Sequence, residues 1–278
     1  ELSASLVGSE MCIRDSYTHR AFGEDIRQQP GAEQFPEIDA CPRAFALGLH
    51  GPDTLFYFHP LRHNAVNERG ERMHEARAAD FFAGARDTLR ARGARPSDRA
   101  YLYGFVCHFA LDSACHPEVA AQMRLHKISH TAAEAAFERA MLLRDGRDPV
   151  REHIASHIRA DADNVSAVAA FCKITEKQAK TAIRSMGRCS RLLRCPNGVR
   201  RALLRGILRL IGSRSVSDMI IPERDTPASA ECCAALSACY ARALQKAMAL
   251  LDNFRAFLAE EAPLDERFFS NYESEETI

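Results

Sequence analysis

His108, Asp112 and His116 recur at every fourth position in CHFALDSACHP, residues 107–117, a stretch whose other members are mostly small or apolar. Side chains four apart share one face of a helix. An ionised carboxylate on an apolar helix is costly unless something pairs it. Two imidazoles could do so. A metal ion would do so better, because neutral His and ionised Asp are zinc ligands and a dication offsets the burial cost. The next helical segment repeats the pattern with His130 and Glu134, again four apart. A short linker between the two segments makes them antiparallel neighbours, which would gather His116, His130 and Glu134 into a second ligand group. Upstream, Asp53 sits in a Gly-Pro-Asp turn and His74 near a helix start, and both could close on His108 and Asp112. His50, His59, His63, His126, His153 and His157 read as ordinary surface or core histidines. No GxSxG-type turn supplies a side-chain nucleophile.

These residues need a scaffold, and composition says which kind. Ala and Arg abound, Trp is absent, and runs of Val, Ile, Thr and Tyr are scarce, which favours helices over strands. The expected fold is all-α: a multi-helix bundle enclosing a His/Asp/Glu metal cluster, with a C-terminal helical extension. Helices are expected at 17–29, 72–92, from a Ser97 cap to about Cys115 with Pro117 ending it, and at 127–144. Further helices are expected at 149–160, 164–171, 174–194 and 226–260, with a turn-rich approach at 41–60. All eleven His lie between His19 and His157, so residues 17–160 form the metal-bearing core and residues 161–278 add supporting helices. Residues 1–16, ELSASLVGSEMCIRDS, resemble translated sequencing-adapter read-through and are set aside as non-native.

Charge excludes some functions. Lys+Arg and Asp+Glu both number 37, so the chain is neither a nucleic-acid coat nor an acidic tail protein, and no specific nucleic-acid partner is expected. The ten Cys form no CxxC pair and read as buried apolar residues of a reducing, cytoplasmic protein. No run is long enough for a transmembrane helix. Residues 173–214 hold twelve Lys or Arg against one acid, Glu176. That stretch is either a solvated helix face or a peripheral membrane contact, in which Arg201, Arg205 and Arg209 meet anionic headgroups while Leu203, Leu204, Ile207 and Leu208 dip into the interface.

Taken together, YTHRAFGEDI (17–26), FALGLHGPDTLFYF (45–58), RMHE (72–75), AYLYGFVCHFALDSACHP (100–117) and SHTAAEAAFERAMLLRDG (129–146) resemble the bacterial zinc-dependent phospholipase C family. The resemblance implies Zn2+ at two sites, one held by Asp53, His74, His108 and Asp112, the other by His116, His130 and Glu134. A third ion would use His19 and a bridging Asp112. The residue after Asp53 is Thr54, and the choline pocket of secreted members is not recognisable, so a phosphatidylcholine preference does not carry over. The function implied is hydrolysis of a phospholipid or other phosphodiester, by in-line attack of a metal-bound hydroxide, with Asp53 as ligand and general base. Two alternatives stand beside it. One is a zinc nuclease or nucleotide phosphoesterase of the same fold, which would need aromatic platforms such as Phe56, Tyr57 and Phe58. The other is a non-catalytic helical metal-binding protein.

Overall fold

A long, buried central helix organises the molecule. The structure, a computed structural model, describes residues 16–210 and 214–273, so the adapter-like segment up to residue 15 and residues 211–213 of the basic stretch lie outside the described residues. The helices run in order as α1 Ser16–Arg27, α2 Pro36–Ala40, α3 Pro42–Gly48, α4 Ala65–Glu75, α5 Ala78–Ala91, α6 Pro96–His126, α7 His130–Arg144, α8 Ala162–Phe171, α9 Glu176–Leu193, α10 Gly198–Leu210, α11 Arg214–Asp218 and α12 Pro227–Leu258. Among the described residues there is no strand, and the all-α expectation holds. Helix α6 is buried on every side from Ala100 to His116, as an all-round apolar sequence requires. Helices α12 and α3 cover most of it.

Two glycines let α3 lie against α6 with backbones touching. A Cβ on Gly48 would stand 2.0 Å from the Tyr101 carbonyl oxygen, and one on Gly104 would stand 2.3 Å from that of Phe45. This crossing sets the turn that follows α3 beside the middle of α6. Beside the same stretch of α6, Phe82 meets Phe254 and Phe268 edge to face, with ring centroids 5.0 and 4.9 Å away.

Four expected boundaries differ. The 72–92 helix is two helices, because Ala76 and Arg77 leave helical geometry and let α5 turn away from α4. Ser97 is not the cap of α6, which starts at Pro96 after Arg95. Nor does Pro117 end it. Proline removes one amide, but the helix runs on to His126, with Val119 buried and α7 and α12 packed against it. Residues 149–160 are not a helix; they form turns that bury Ile154 and Ile158. The basic stretch also divides. In α9 the cations Lys177, Lys180, Arg184, Arg188 and Arg191 line the exposed face, while Ala179, Ile183, Met186 and Leu193 face the core. In α10, Arg201 is buried and paired with Glu223, and the half-buried Arg205 donates to the Ile220 carbonyl, so both turn away from the exposed face.

The start of α6 is anchored by Asp98, which is fully buried. It accepts hydrogen bonds from Arg92 at 2.9 and 3.0 Å and from Arg95 at 2.9 and 2.8 Å. Burial works against its charge, but the two guanidinium groups prevail and hold its pKa below the usual carboxylate value. The stabilisation is therefore complete above about pH 4 and is lost as pH falls through the lowered folded-state pKa. An Asp98→Asn variant should lose about 2 kcal/mol of stability at neutral pH. The gap from wild type should close on acidification, which thermal melts across pH would read. A variant as stable as wild type at neutral pH would remove Asp98 from the support of α6.

Candidate metal centre

Each segment that carries a sequence-predicted ligand is fixed by a local device. Helix α1 is tied at its first turn, where the Tyr17 amide donates to buried Glu138 of α7 at 2.6 Å, and the Tyr240 hydroxyl of α12 reaches Asp25 at 2.6 Å. That places His19 against α6. The 3-10 segment Gly51–Tyr57 is stitched to α4 by Asn67, whose amide donates to the carbonyls of Leu55 and Phe58 at 2.9 and 3.2 Å. Asn64 caps α4 by accepting from the amides of Val66 and Asn67. Gly51 has φ 44° and lies so close to α6 that a Cβ would stand 2.2 Å from His108 Cδ2. The Gly-Pro-Asp turn is thus pressed directly on the His108 ring and carries Asp53 with it. Ser129 caps α7 and donates to Asp218 of α11 at 2.9 Å, which sets His130 at the helix start.

The eight residues converge. Three groups have potential ligand atoms within 4.8 Å of one another: His19, Asp53 and His108; His74, His108 and Asp112; His116, His130 and Glu134. All eight except His130 are buried, and His130 is nearly so. Asp112 directs Oδ1 to 3.2 Å from His19 Nε2 and Oδ2 to 3.0 Å from His108 Nε2, as a carboxylate joining two centres would. Asp53 Oδ1 lies 2.9 Å from His74 Nε2. On the other side of that ring, Nδ1 is 2.9 Å from the Gly70 carbonyl oxygen. A carbonyl only accepts, so Nδ1 carries a proton, and loss of the other ring proton would leave the Nε2 lone pair facing Asp53.

Several of these close approaches lack hydrogen-bond alignment. His74 Nε2, Asp53 Oδ1 and His108 Nε2 are buried and satisfied by no hydrogen bond, although each has an oppositely polar neighbour about 3 Å away. Buried polar atoms without partners are rare and ask for a reason. Ligands turned toward a common cation leave this pattern. The His/carboxylate donor set, spread over α1, α4, α6, α7 and the 3-10 segment, fits zinc in a working site better than a closed structural one.

Electrostatics agree. Burial would raise the Asp112 pKa, but His108, His19 and His116 hold it well below the usual range. Burial would lower His116, yet Asp112, Glu273 and Glu134 push it up to about 10. Glu134 raises His130 against burial. His74 is raised by Asp53, again against burial. The carboxylates therefore demand positive charge where the rings meet them.

Some of the neighbourhood was not visible in the sequence. Glu273 Oε2 lies 3.3 Å from His116 Nδ1, and the Tyr272 ring packs 5.3 Å from His74 and 5.7 Å from His108. A lone Glu in a Glu-rich terminal run carries no spacing signal. His50 and His157 meet at 2.8 Å between Nε2 atoms, which needs one donor and one acceptor. Burial keeps both rings neutral, His157 down to about 3. Of the aromatic run, Phe56 and Tyr57 are buried, with Phe56 stacked on His74 at 5.3 Å, so these two present no platform to a base.

A helical bundle with a buried, multi-segment His/carboxylate centre has the donor set that a metal-dependent protein requires. The family description zinc dependent phospholipase C matches residues 18–186, more than half of the sequence, and the chain belongs to that family. All eight cluster residues fall inside the match, whereas α10, α12 and Glu273 fall outside it. No curated protein and no solved structure matches the chain.

Zinc entering this centre would compete with protons on the rings beside carboxylates. Zinc uptake at neutral pH should release protons, and affinity should rise with pH as the raised His116, His130 and His74 deprotonate. Calorimetry in buffers of different ionisation enthalpy reads the proton count. Uptake with no proton release would contradict the charge argument. Asp112→Asn should lower the zinc content of the purified protein.

Proposed function

We propose that the chain cleaves the phosphodiester bond of a phospholipid with zinc held in this centre. In this reading Asp53, His74, His108 and Asp112 hold one ion, and His116, His130 and Glu134 hold the second. His19 joins Asp112 at a third. Bound zinc would neutralise the phosphodiester oxygens and bring the pKa of water toward neutrality.

The protein's own residues do the rest. Asp53 binds metal and can take the proton of the attacking water, since it sits on a turn held rigid by Gly51 and Asn67. The Gly70 carbonyl fixes the His74 ring, and Phe56 and Tyr272 pack against it. His130 is the most exposed of the eight, so substrate approaches from the end at which α7 begins. The observation that carries this reading is the set of buried, hydrogen-bond-lacking nitrogen and oxygen atoms of His74, His108 and Asp53 in a chain of the zinc-dependent phospholipase C family.

The test is hydrolysis by zinc-loaded protein of phospholipid micelles, a soluble chromogenic phosphodiester and single-stranded DNA in parallel. Activity on the lipid should vanish with chelator and return with zinc. Asp53→Asn should reduce kcat roughly a hundredfold or more while the fold is kept. Full activity with full zinc in that variant would end the role of Asp53. Preference for DNA would favour the nuclease alternative, and bound zinc with no hydrolysis at all would favour a non-catalytic protein.

A further inference from the structure

Helix α10 has two faces of different character. Leu204 and Leu208 pack on the core, and Arg201 and Arg205 turn inward with them to their partners Glu223 and the Ile220 carbonyl. The opposite face is uncovered: Val199, Leu203, Ile207 and Leu210 are 82, 65, 48 and 87% exposed. At the helical turn per residue these four side chains fall within an arc of about 80°. Ala202 and Gly206 continue the arc on one side, and no charged residue interrupts it. Exposed Arg200, one nitrogen of which donates to the Leu192 carbonyl at 3.3 Å, borders it on one edge and exposed Arg209 on the other. No acidic residue occurs between Glu176 and Asp218.

A contiguous aliphatic strip rimmed by cations marks a contact surface. We propose that α10 lies flat on an anionic lipid surface, with Val199, Leu203, Ile207 and Leu210 in the acyl boundary and Arg200 and Arg209 on lipid phosphates. Charge selects this occupant. A second copy seated on the same face would set the same arginines opposite one another, with no acid in the segment to pair them. The inference rests on the phospholipid reading for its purpose, though not for its measurement. Helix α11 contacts both α10 and α7, and its Asp218 binds Ser129 beside His130, so a docked α10 is linked to the most exposed end of the metal centre.

The test is co-sedimentation of the full chain with vesicles of phosphatidylcholine alone and of equal parts phosphatidylcholine and phosphatidylglycerol, at low and high salt. The wild type should pellet with the anionic vesicles, and less so at high salt. The Leu203→Asp/Ile207→Asp and Arg200→Gln/Arg209→Gln double variants should each bind about tenfold or more weakly. Both should keep the wild-type melting temperature and the wild-type rate on a soluble phosphodiester, since all four residues are exposed and none is among the candidate ligands. No binding by the wild type, or unchanged binding by the Asp variant, would overturn the proposal. So would a wild-type dimer that the Asp variant turns into monomers, because the strip would then belong to a second copy. Vesicle binding without hydrolysis of any phosphodiester would leave α10 as assigned and sink the enzymatic reading, and hydrolysis of the soluble substrate without vesicle binding would do the reverse.

Discussion

The Asp112 carboxylate is buried at the centre of a helix that is itself covered on all sides, and the surrounding structure answers that charge. Such a group is tolerated only where positive charge meets both oxygens. Here His19 faces one oxygen and His108 the other, at 3.2 and 3.0 Å. The nearby imidazoles divide accordingly. Those beside carboxylates, His74, His116 and His130, are driven toward the protonated form, whereas His50 and His157, which have each other, stay neutral. That division locates where cations belong, and it comes from burial and proximity alone.

Packing makes the charge arrangement rigid. Side chains on either Gly48 or Gly104 would force α3 away from α6 and carry the Gly51–Tyr57 segment, and so Asp53, with it. Gly51 adds a second constraint, because its left-handed backbone sits directly on the His108 ring. Asp53 and His74 come from different elements, yet they meet because Asn67 spans the gap with two hydrogen bonds to backbone carbonyls. Position is thus controlled by backbone contacts rather than by long flexible side chains, which suits a site whose ligands must hold a fixed geometry.

What the sequence disclosed depended on range. His108, Asp112 and His116 were legible because helical periodicity is local, and His130 with Glu134 repeated it on the next helix. Asp53, His74 and His19 were legible through the order of motifs rather than through any spacing among themselves. Glu273 was not legible at all, since only the fold returns the end of the chain to His116. Boundaries failed where tertiary packing overrode a local signal. Pro117 reads as a stop, yet α7 and α12 hold the helix through it; residues 149–160 read as helical but bury Ile154 and Ile158 from turns. The basic stretch failed differently. Counting cations could not show that Arg201 is internal while Leu203 is not.

The helix also sets the spacing of the chemistry. At the α-helical rise, His108 and His116 lie about 12 Å apart along α6, with Asp112 about 6 Å from each. Ligands two turns apart cannot share one ion, so His116 must recruit its own partners, and α7 supplies them in His130 and Glu134. Ligands one turn apart can, so Asp112 serves the His108 group and still turns an oxygen to His19. A continuous helix, buried on all sides from Ala100 to His116 and anchored by Asp98 at its start, fixes these intervals without help from loops. The order His, Asp, His at four-residue steps therefore sets the separation between the two candidate ligand groups as much as it chooses the ligands.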